Sequence, residues 1–221
     1  MNKLFPTLLA VVVSCVTFVA HAQDIKGDAK AGEAKNAMCI GCHGIKGYQA
    51  TFPEVYKVPM ISGQGVKYIV SALSAYKKGD RKHPSMRGIA EALSDQDMAD
   101  LAAYYSGHGV VTGAEASAKA SKEASPEVQA LLGKANCASC HGANFSKPID
   151  PSYPKLAGQH ADYLLVALKA YKTDNNPKVG RGNAIMAGMA KQYTNAELKT
   201  LAGYLSSLDG ELKTVPQSRF R

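Results

Sequence analysis

Apolar residues recur at helical spacing in several stretches of the chain, and the clearest stretches come in matched pairs. Val66 to Lys77 and His160 to Lys172 carry apolar side chains at three- and four-residue steps, which predicts two amphipathic helices. Met98, Leu101, Ala102 and Tyr105 fall at i, i+3, i+4 and i+7, and Leu198, Leu201, Ala202 and Leu205 repeat that stripe. Such a stripe faces a core. Each of these last helices has a start signal, Ser94-Asp-Gln-Asp97 in one and Thr194-Asn-Ala-Glu197 in the other, the second a full capping-box sequence. Lys30 to Met38 predicts a further helix, with Gly32 as a close-contact point. Ser125-Pro126 opens another, to about Ala135, with serine as cap and proline at the first helical position. Strand formers are sparse, so the pattern predicts an all-α protein. Long Gly- and Pro-bearing loops separate the helices, and loops of that length in a small helical domain usually wrap something.

Leu4 to Ala20 breaks the pattern, being almost uninterrupted apolar sequence without a polar face. With Lys3 before it and Ala20-His21-Ala22 after it, residues 1–22 read as a cleavable signal peptide for export to the periplasm. Two alternatives stand beside this: a retained anchor, and a lipobox at Val12-Val13-Ser14-Cys15 that would leave a lipid on Cys15. No other segment is long and apolar enough to span a bilayer.

The mature sequence is a duplication. Cys39-Ile-Gly-Cys42-His43-Gly44 returns 98 residues later as Cys137-Ala-Ser-Cys140-His141-Gly142. Pro59-Met-Ile-Ser-Gly63-Gln64 returns as Pro154-Lys-Leu-Ala-Gly158-Gln159, and Leu101-Ala-Ala-Tyr104 as Leu201-Ala-Gly-Tyr204. The two copies occupy residues 23–112 and 126–221, joined by an Ala-, Ser- and Lys-rich linker at 113–125. Each copy is too small for a large core of its own, a size at which proteins lean on metals or cross-links.

Cys-x-x-Cys-His names the cross-link. Two thiols three residues apart share one turn and can add to the two vinyl groups of a porphyrin, and the following imidazole then lies beneath the iron. Cys39 and Cys42, and Cys137 and Cys140, are thus the candidate attachment points of two covalently bound haem c groups, with His43 and His141 as proximal ligands. A thioredoxin-like dithiol would need a strand-to-helix setting, and structural zinc a spacing between pairs near 15 to 20 residues. Neither fits. The second axial ligand should recur in both copies within a downstream loop. Met86 and Met186 do so, 43 and 45 residues after their histidines. Met189 competes, but its counterpart Ile89 cannot ligate iron. Met38, Met60 and Met98 lack repeat partners and read as core, while His83, His108 and His160 read as surface residues. A thioether opposite imidazole favours ferrous iron and closes the sixth position, which suits electron transfer rather than substrate binding.

The formal charge is +8 for the whole chain. That suggests acidic partner proteins or anionic lipid heads, whereas nothing resembles a nucleic-acid motif. Lys77, Lys78, Arg81 and Lys82 precede Met86, and Lys169, Lys172, Lys178 and Arg181 precede Met186. Patches of this kind beside each haem edge would steer acidic partners.

The tandem CxxCHG modules, the Gly-Gln turns at 63–64 and 158–159, and the Met-x-x-(Ile/Met)-Ala segments at 86–90 and 186–190 resemble the dihaem cytochrome c4 family. The resemblance implies two tandem class I cytochrome c domains related by a pseudo-twofold, with haem propionates approaching each other at the interface. It further implies a high-potential periplasmic carrier, loosely membrane-associated, passing electrons from an upstream donor to a cytochrome oxidase. A proline after each CxxCH would accept the hydrogen bond of the proximal imidazole, with Pro53 and Pro148 or Pro151 as candidates. The alternative is the cytochrome subunit, or a stand-alone dihaem enzyme, of a periplasmic dehydrogenase.

Overall fold

The computed structural model describes residues 25–110 and 119–216; the leading segment read as a signal, and the first part of the linker, lie outside them. The two predicted stripes become the last helices of two modules, α5 (Asp95–Gly107) and α10 (Asn195–Ser207). Met98, Leu101, Ala102 and Tyr105 are buried on the first, and Leu198, Leu201, Ala202 and Leu205 on the second. Burying a side chain of the Leu or Met class contributes about 1.5–3 kcal/mol relative to leaving it in water. Both helices open with complete capping boxes, Ser94 with Asp97 and Thr194 with Glu197. The shorter Asp97 reaches back as well as the predicted Glu197 does.

The single helix predicted over Lys30 to Met38 is two, α1 (Ala29–Lys35) and α2 (Ala37–His43). The chain tightens at buried Asn36, whose amide bonds the Glu33 carbonyl. Gly32 is the predicted close contact: a Cβ there would stand 2.1 Å from the Asp100 carbonyl oxygen. In the second module α6 (Pro126–Lys134) starts at the predicted Ser125 cap. Its Gly133 meets nothing within 4 Å, so no equivalent contact forms there.

Asp100 locks α1 onto α5. Its carboxylate is 3% exposed. It accepts from the Asp28 amide at 2.9 Å, Gln96 Nε2 at 2.8 Å and Lys35 Nζ at 2.7 Å. The Lys35 ammonium, then the Asp28 amide, hold its carboxyl down at about 2. A folded-state value below the unfolded one, near 3.9, contributes stability above that pH which is lost as pH falls through the folded value. Asp100→Asn therefore lowers the denaturation midpoint of the first module at neutral pH. The gap from the unaltered protein narrows as pH falls from about 4 to about 2. Denaturant titrations at stepped pH measure this, and a gap independent of pH contradicts it.

The remaining helices are α3 (Val66–Lys78) and α4 (Pro84–Glu91) in the first module, and α7 (Ala138–His141), α8 (Ala161–Tyr171) and α9 (Ala184–Ala190) in the second. β1 (Gln49–Ala50) pairs with β2 (Tyr56–Lys57). β3 (Arg81–Lys82) pairs antiparallel with β4 (Gly180–Arg181), joining the modules.

Other bonds cross the same boundary. Asp162 accepts the Lys57 amide at 3.0 Å, and Lys169 pairs with Glu54 at 2.6 Å. Beyond α10 the chain returns to the first module, where the Lys213 amide bonds the Ser62 carbonyl at 3.0 Å. Lys155 joins Glu211 to the Gly63 carbonyl from the other side. Gly63 and Gly158 stand at φ 85° and 76°, left-handed turns that favour glycine. Their amides bond the Tyr105 and Leu205 carbonyls at 2.8 and 3.0 Å, tying each Gly-Gln turn to the end of its core helix. Among the described residues no helix is long and apolar enough to cross a membrane.

Two candidate haem sites

Cys39, Cys42 and His43 all ride on α2, so the two thiols and the imidazole occupy consecutive positions around one turn. In the second module Cys137 begins α7, and Cys140 and His141 end it. The first cysteine of each motif packs on its module's core, Cys39 against Ile69, Leu101, Ala102 and Tyr105, and Cys137 against Phe145, Leu164, Ala202 and Leu205. All four thiols are free. Burial pushes Cys39 up to about 11 and raises Cys137. Each CxxC pair lies in a helical turn that follows another helix, not at the strand-to-helix junction a thioredoxin-like dithiol needs.

Each imidazole is oriented by one carbonyl. His43 Nδ1 lies 2.7 Å from the Pro59 oxygen and His141 Nδ1 3.1 Å from that of Pro154. A carbonyl can only accept, so Nδ1 carries the proton and Nε2 keeps a lone pair that could ligate a metal. Burial lowers both imidazoles below their usual value, which keeps them neutral. These acceptors are not Pro53, Pro148 or Pro151. Pro59 and Pro154 occupy matching places in the repeat, just ahead of the Gly-Gln turns, and that matching was the signal in the sequence. Pro148 and Pro151 line a cleft of about 360 Å³ elsewhere on the boundary.

Met86 and Met186 also hold matching places, though in helices rather than loops. Each is the third residue of a short helix, α4 or α9, and each amide is capped. His83 Nδ1 accepts from the Met86 amide at 3.3 Å, and Asn183 Oδ1 from that of Met186 at 2.9 Å. His83 thus has a counterpart after all, a cap rather than a surface residue. Its Nε2 meets the Tyr56 hydroxyl at 3.0 Å, and its charge would oppose protonation of His43, so the cap of α4 and the proximal imidazole are neighbours. His108 stacks on Tyr104, with ring centroids 4.7 Å apart, and His160 is the cap of α8. Met98 is core as predicted, but Met38 is 68% exposed. No hydrogen bond joins either imidazole to the methionine of its module among the described residues.

The basic patches are reorganised by the fold. Lys82 Nζ donates across the boundary to the Asn176 carbonyl at 2.7 Å, Lys169 pairs with Glu54, and Lys172 donates to the Tyr193 carbonyl at 2.6 Å. Of those predicted lysines, Lys78 and Lys178 stand exposed, their ammonium groups without a partner among the described residues. Arg81 and Arg181 face each other across the β3–β4 pair. Arg81 donates to the Tyr68 hydroxyl and Arg181 to that of Tyr163, each at 3.0 Å. Each guanidinium also lies over two tyrosine rings, Arg81 over Tyr68 and Tyr76, Arg181 over Tyr163 and Tyr171. Burial alone would raise the Tyr68 phenol, but the two guanidiniums outweigh it and lower it.

Like charges directly opposite on a ladder repel, and no carboxylate pairs with either arginine among the described residues. A pair of cations without a counter-anion suits a group that brings carboxylates with it, as haem does. The donor set fits on the same terms: two thiols on one turn, then an imidazole with a free Nε2. The hydroxyl of Tyr105 is buried beside the Cys39 thiol, and burial, then that thiol, raises its pKa.

Two helical modules, each with a CxxCH turn held against its core, define a tandem c-type cytochrome. The cytochrome c family model matches residues 29–107 and 126–209. Cytochrome c4 of Stutzerimonas stutzeri is 34% identical over 94% of this chain and all of its own length. The crystal structure of reduced recombinant cytochrome c4 from Pseudomonas stutzeri superposes with TM-score 0.59 at 29% identity, covering 83% of this chain and all of that one. A thiosulfate dehydrogenase electron acceptor of Stutzerimonas stutzeri is 28% identical over 90% of this chain and 91% of its own. The chain belongs to the cytochrome c family, in its dihaem cytochrome c4 branch, and carries two haem c groups. It is an electron carrier.

Proposed function

We propose that the protein is a periplasmic, high-potential carrier that passes single electrons from an upstream donor toward a terminal oxidase. His43 with Met86 and His141 with Met186 are the axial pairs of this reading. Bound haem supplies the one-electron chemistry of iron. The residues of this chain hold and tune it: Cys39, Cys42, Cys137 and Cys140 anchor the porphyrins, and Pro59 and Pro154 orient the imidazoles. Arg81 and Arg181 stand ready to neutralise carboxylates at the module boundary.

The observation that carries the reading is the symmetry of the methionines. Both sit at the third position of a capped short helix, and both are partly buried. A closed coordination shell serves transfer, whereas a catalytic haem keeps a site open or uses an unusual ligand. On the dehydrogenase side, a relative is named an electron acceptor, which is again a carrier's role.

Export through residues 1–22, or lipid on Cys15, belongs to this proposal. The domain limits 23–112 and 126–221 do too, as does loose association with the membrane. With Lys78 and Lys178 exposed beside the α3–α4 and α8–α9 connections, docking to acidic surfaces is expected to be salt-sensitive but weakly so.

The test combines carbon monoxide with turnover. The reduced protein is expected to bind no carbon monoxide at either haem, and stopped-flow mixing with oxidase-containing membranes to oxidise both haems. Binding of carbon monoxide to the unaltered protein would mean an open iron and would favour the dehydrogenase reading.

A further inference from the structure

The repeated Gly-Gln turn does more than end a loop. Gln64 and Gln159 are each 4% exposed, and both amides are spent on the opposite module. Gln159 Oε1 accepts the Met60 amide at 3.0 Å, and its Nε2 donates to the Met60 carbonyl at 2.9 Å. Gln64 Oε1 accepts the Lys155 amide at 2.9 Å, and its Nε2 donates to the Lys155 carbonyl at 3.1 Å. Each Oε1 also takes the amide of its own next residue, Gly65 at 2.9 Å or His160 at 3.0 Å, which holds the side chain in place. The arrangement is reciprocal in every bond.

The amide hydrogens captured in this way are not arbitrary. The N–H of Met60 and the C=O of Pro59 belong to one planar peptide group, and that C=O accepts the proton of His43 Nδ1. In the same way, the N–H of Lys155 shares a peptide group with the C=O of Pro154, the acceptor for His141 Nδ1. A peptide group that donates through its nitrogen is polarised, and its oxygen becomes a better acceptor. The chain Gln159, Met60 amide, Pro59 carbonyl, His43 therefore runs from the second module to the first imidazole. Gln64, Lys155 amide, Pro154 carbonyl, His141 runs the other way.

We infer that Gln64 and Gln159 are crossed positioning residues, each setting the proximal imidazole of the other module's haem. The inference rests on His43 and His141 being iron ligands. A stronger Nδ1–H···O bond makes the imidazole a richer donor and favours ferric iron. Loss of the glutamine contact weakens that bond and raises the potential of the haem across the boundary. A glutamine that only glued the modules together would behave differently. Its loss would open the boundary to water, and both potentials would shift together.

The experiment is a redox titration of the holoprotein and its Gln64→Leu and Gln159→Leu variants, with each haem followed through its own paramagnetically shifted NMR signals. Gln159→Leu is expected to raise the first-module potential and leave the second unchanged, and Gln64→Leu to do the converse. The exchangeable Nδ1 proton of the affected histidine should shift in the same crossed sense. Should a leucine variant not assemble with two haems, Gln→Asn takes its place, one methylene too short to keep both bonds. Equal shifts at both haems, or a shift only in the variant's own module, overturn the crossed role while leaving ligation intact. Failure to find two histidine Nδ1 protons with hyperfine shifts in the unaltered protein overturns the ligation itself.

Discussion

Met86→Ala is expected to abolish the far-red sulfur-to-iron absorption of one oxidised haem and leave that of the other, and Met186→Ala to do the reverse. A thioether stabilises ferrous iron, and water in its place does not. The potential of the altered haem should therefore fall by on the order of a tenth to a few tenths of a volt, within the roughly 0.8 V that axial ligands command. The reduced variant should also bind carbon monoxide at that haem alone. In α9 the competing thioether, Met189, lies one turn further on and is 36% exposed, and the equivalent residue in α4, Ile89, carries no sulfur. Ile89 cannot ligate at all, and Met189 can take the place of Met186 only by rotation of a helix that Asn183 caps. Visible spectra and a potentiometric titration decide it. An intact far-red band in either variant would remove that methionine from the iron.

Cys137→Ala with Cys140→Ala should halve the haem count, from two to one per chain, and unfold most of the second module. Phe145, Ala157, Leu164, Ala202 and Leu205 form its main cluster, and Cys137 is packed on its edge. A small module whose attachment turn packs on its core loses that packing and its cofactor together. Haem quantitation after alkaline pyridine treatment gives the stoichiometry. Limited proteolysis gives the order, with cleavage expected between 119 and 216 and the first module surviving. Two haems in the double variant, or a protease-resistant second module, would mean the thiols are not its anchor.

The helices were legible because local chemistry dictates them. A stripe at i, i+3, i+4 and i+7 has one way to be buried, and a Ser or Thr three residues ahead of an acid has one favourable geometry. The same holds for the CxxCH turns: the spacing of thiols and imidazole is a property of one helical turn. Errors arose where a residue's role depends on a distant partner. Arg81, Lys82, Lys169, Lys172 and Arg181 read as basic patches that steer acidic partners, and the fold commits them instead to bonds and ring contacts within the protein, several across the boundary. The family resemblance points only to a proline somewhere after each CxxCH, which admits Pro53, Pro148 and Pro151, while the acceptors Pro59 and Pro154 are marked by the duplication itself. His83 reads as a surface residue in the sequence, though Asn183 supplies the same capping acceptor at the matching place.

Length, composition and one repeated motif were enough to establish a duplicated helical module, its two covalent haems and its class of chemistry, since each follows from bonds between residues near in sequence. Which carbonyl orients each imidazole, which cations meet between the modules, and how each glutamine reaches the other half depended on the packed chain. The imidazole contacts join residues 16 and 13 positions apart on separate elements, and the arginine and glutamine contacts join residues about 90 to 100 apart. No local propensity encodes such a separation, and only the closed interface brings the partners within hydrogen-bonding distance.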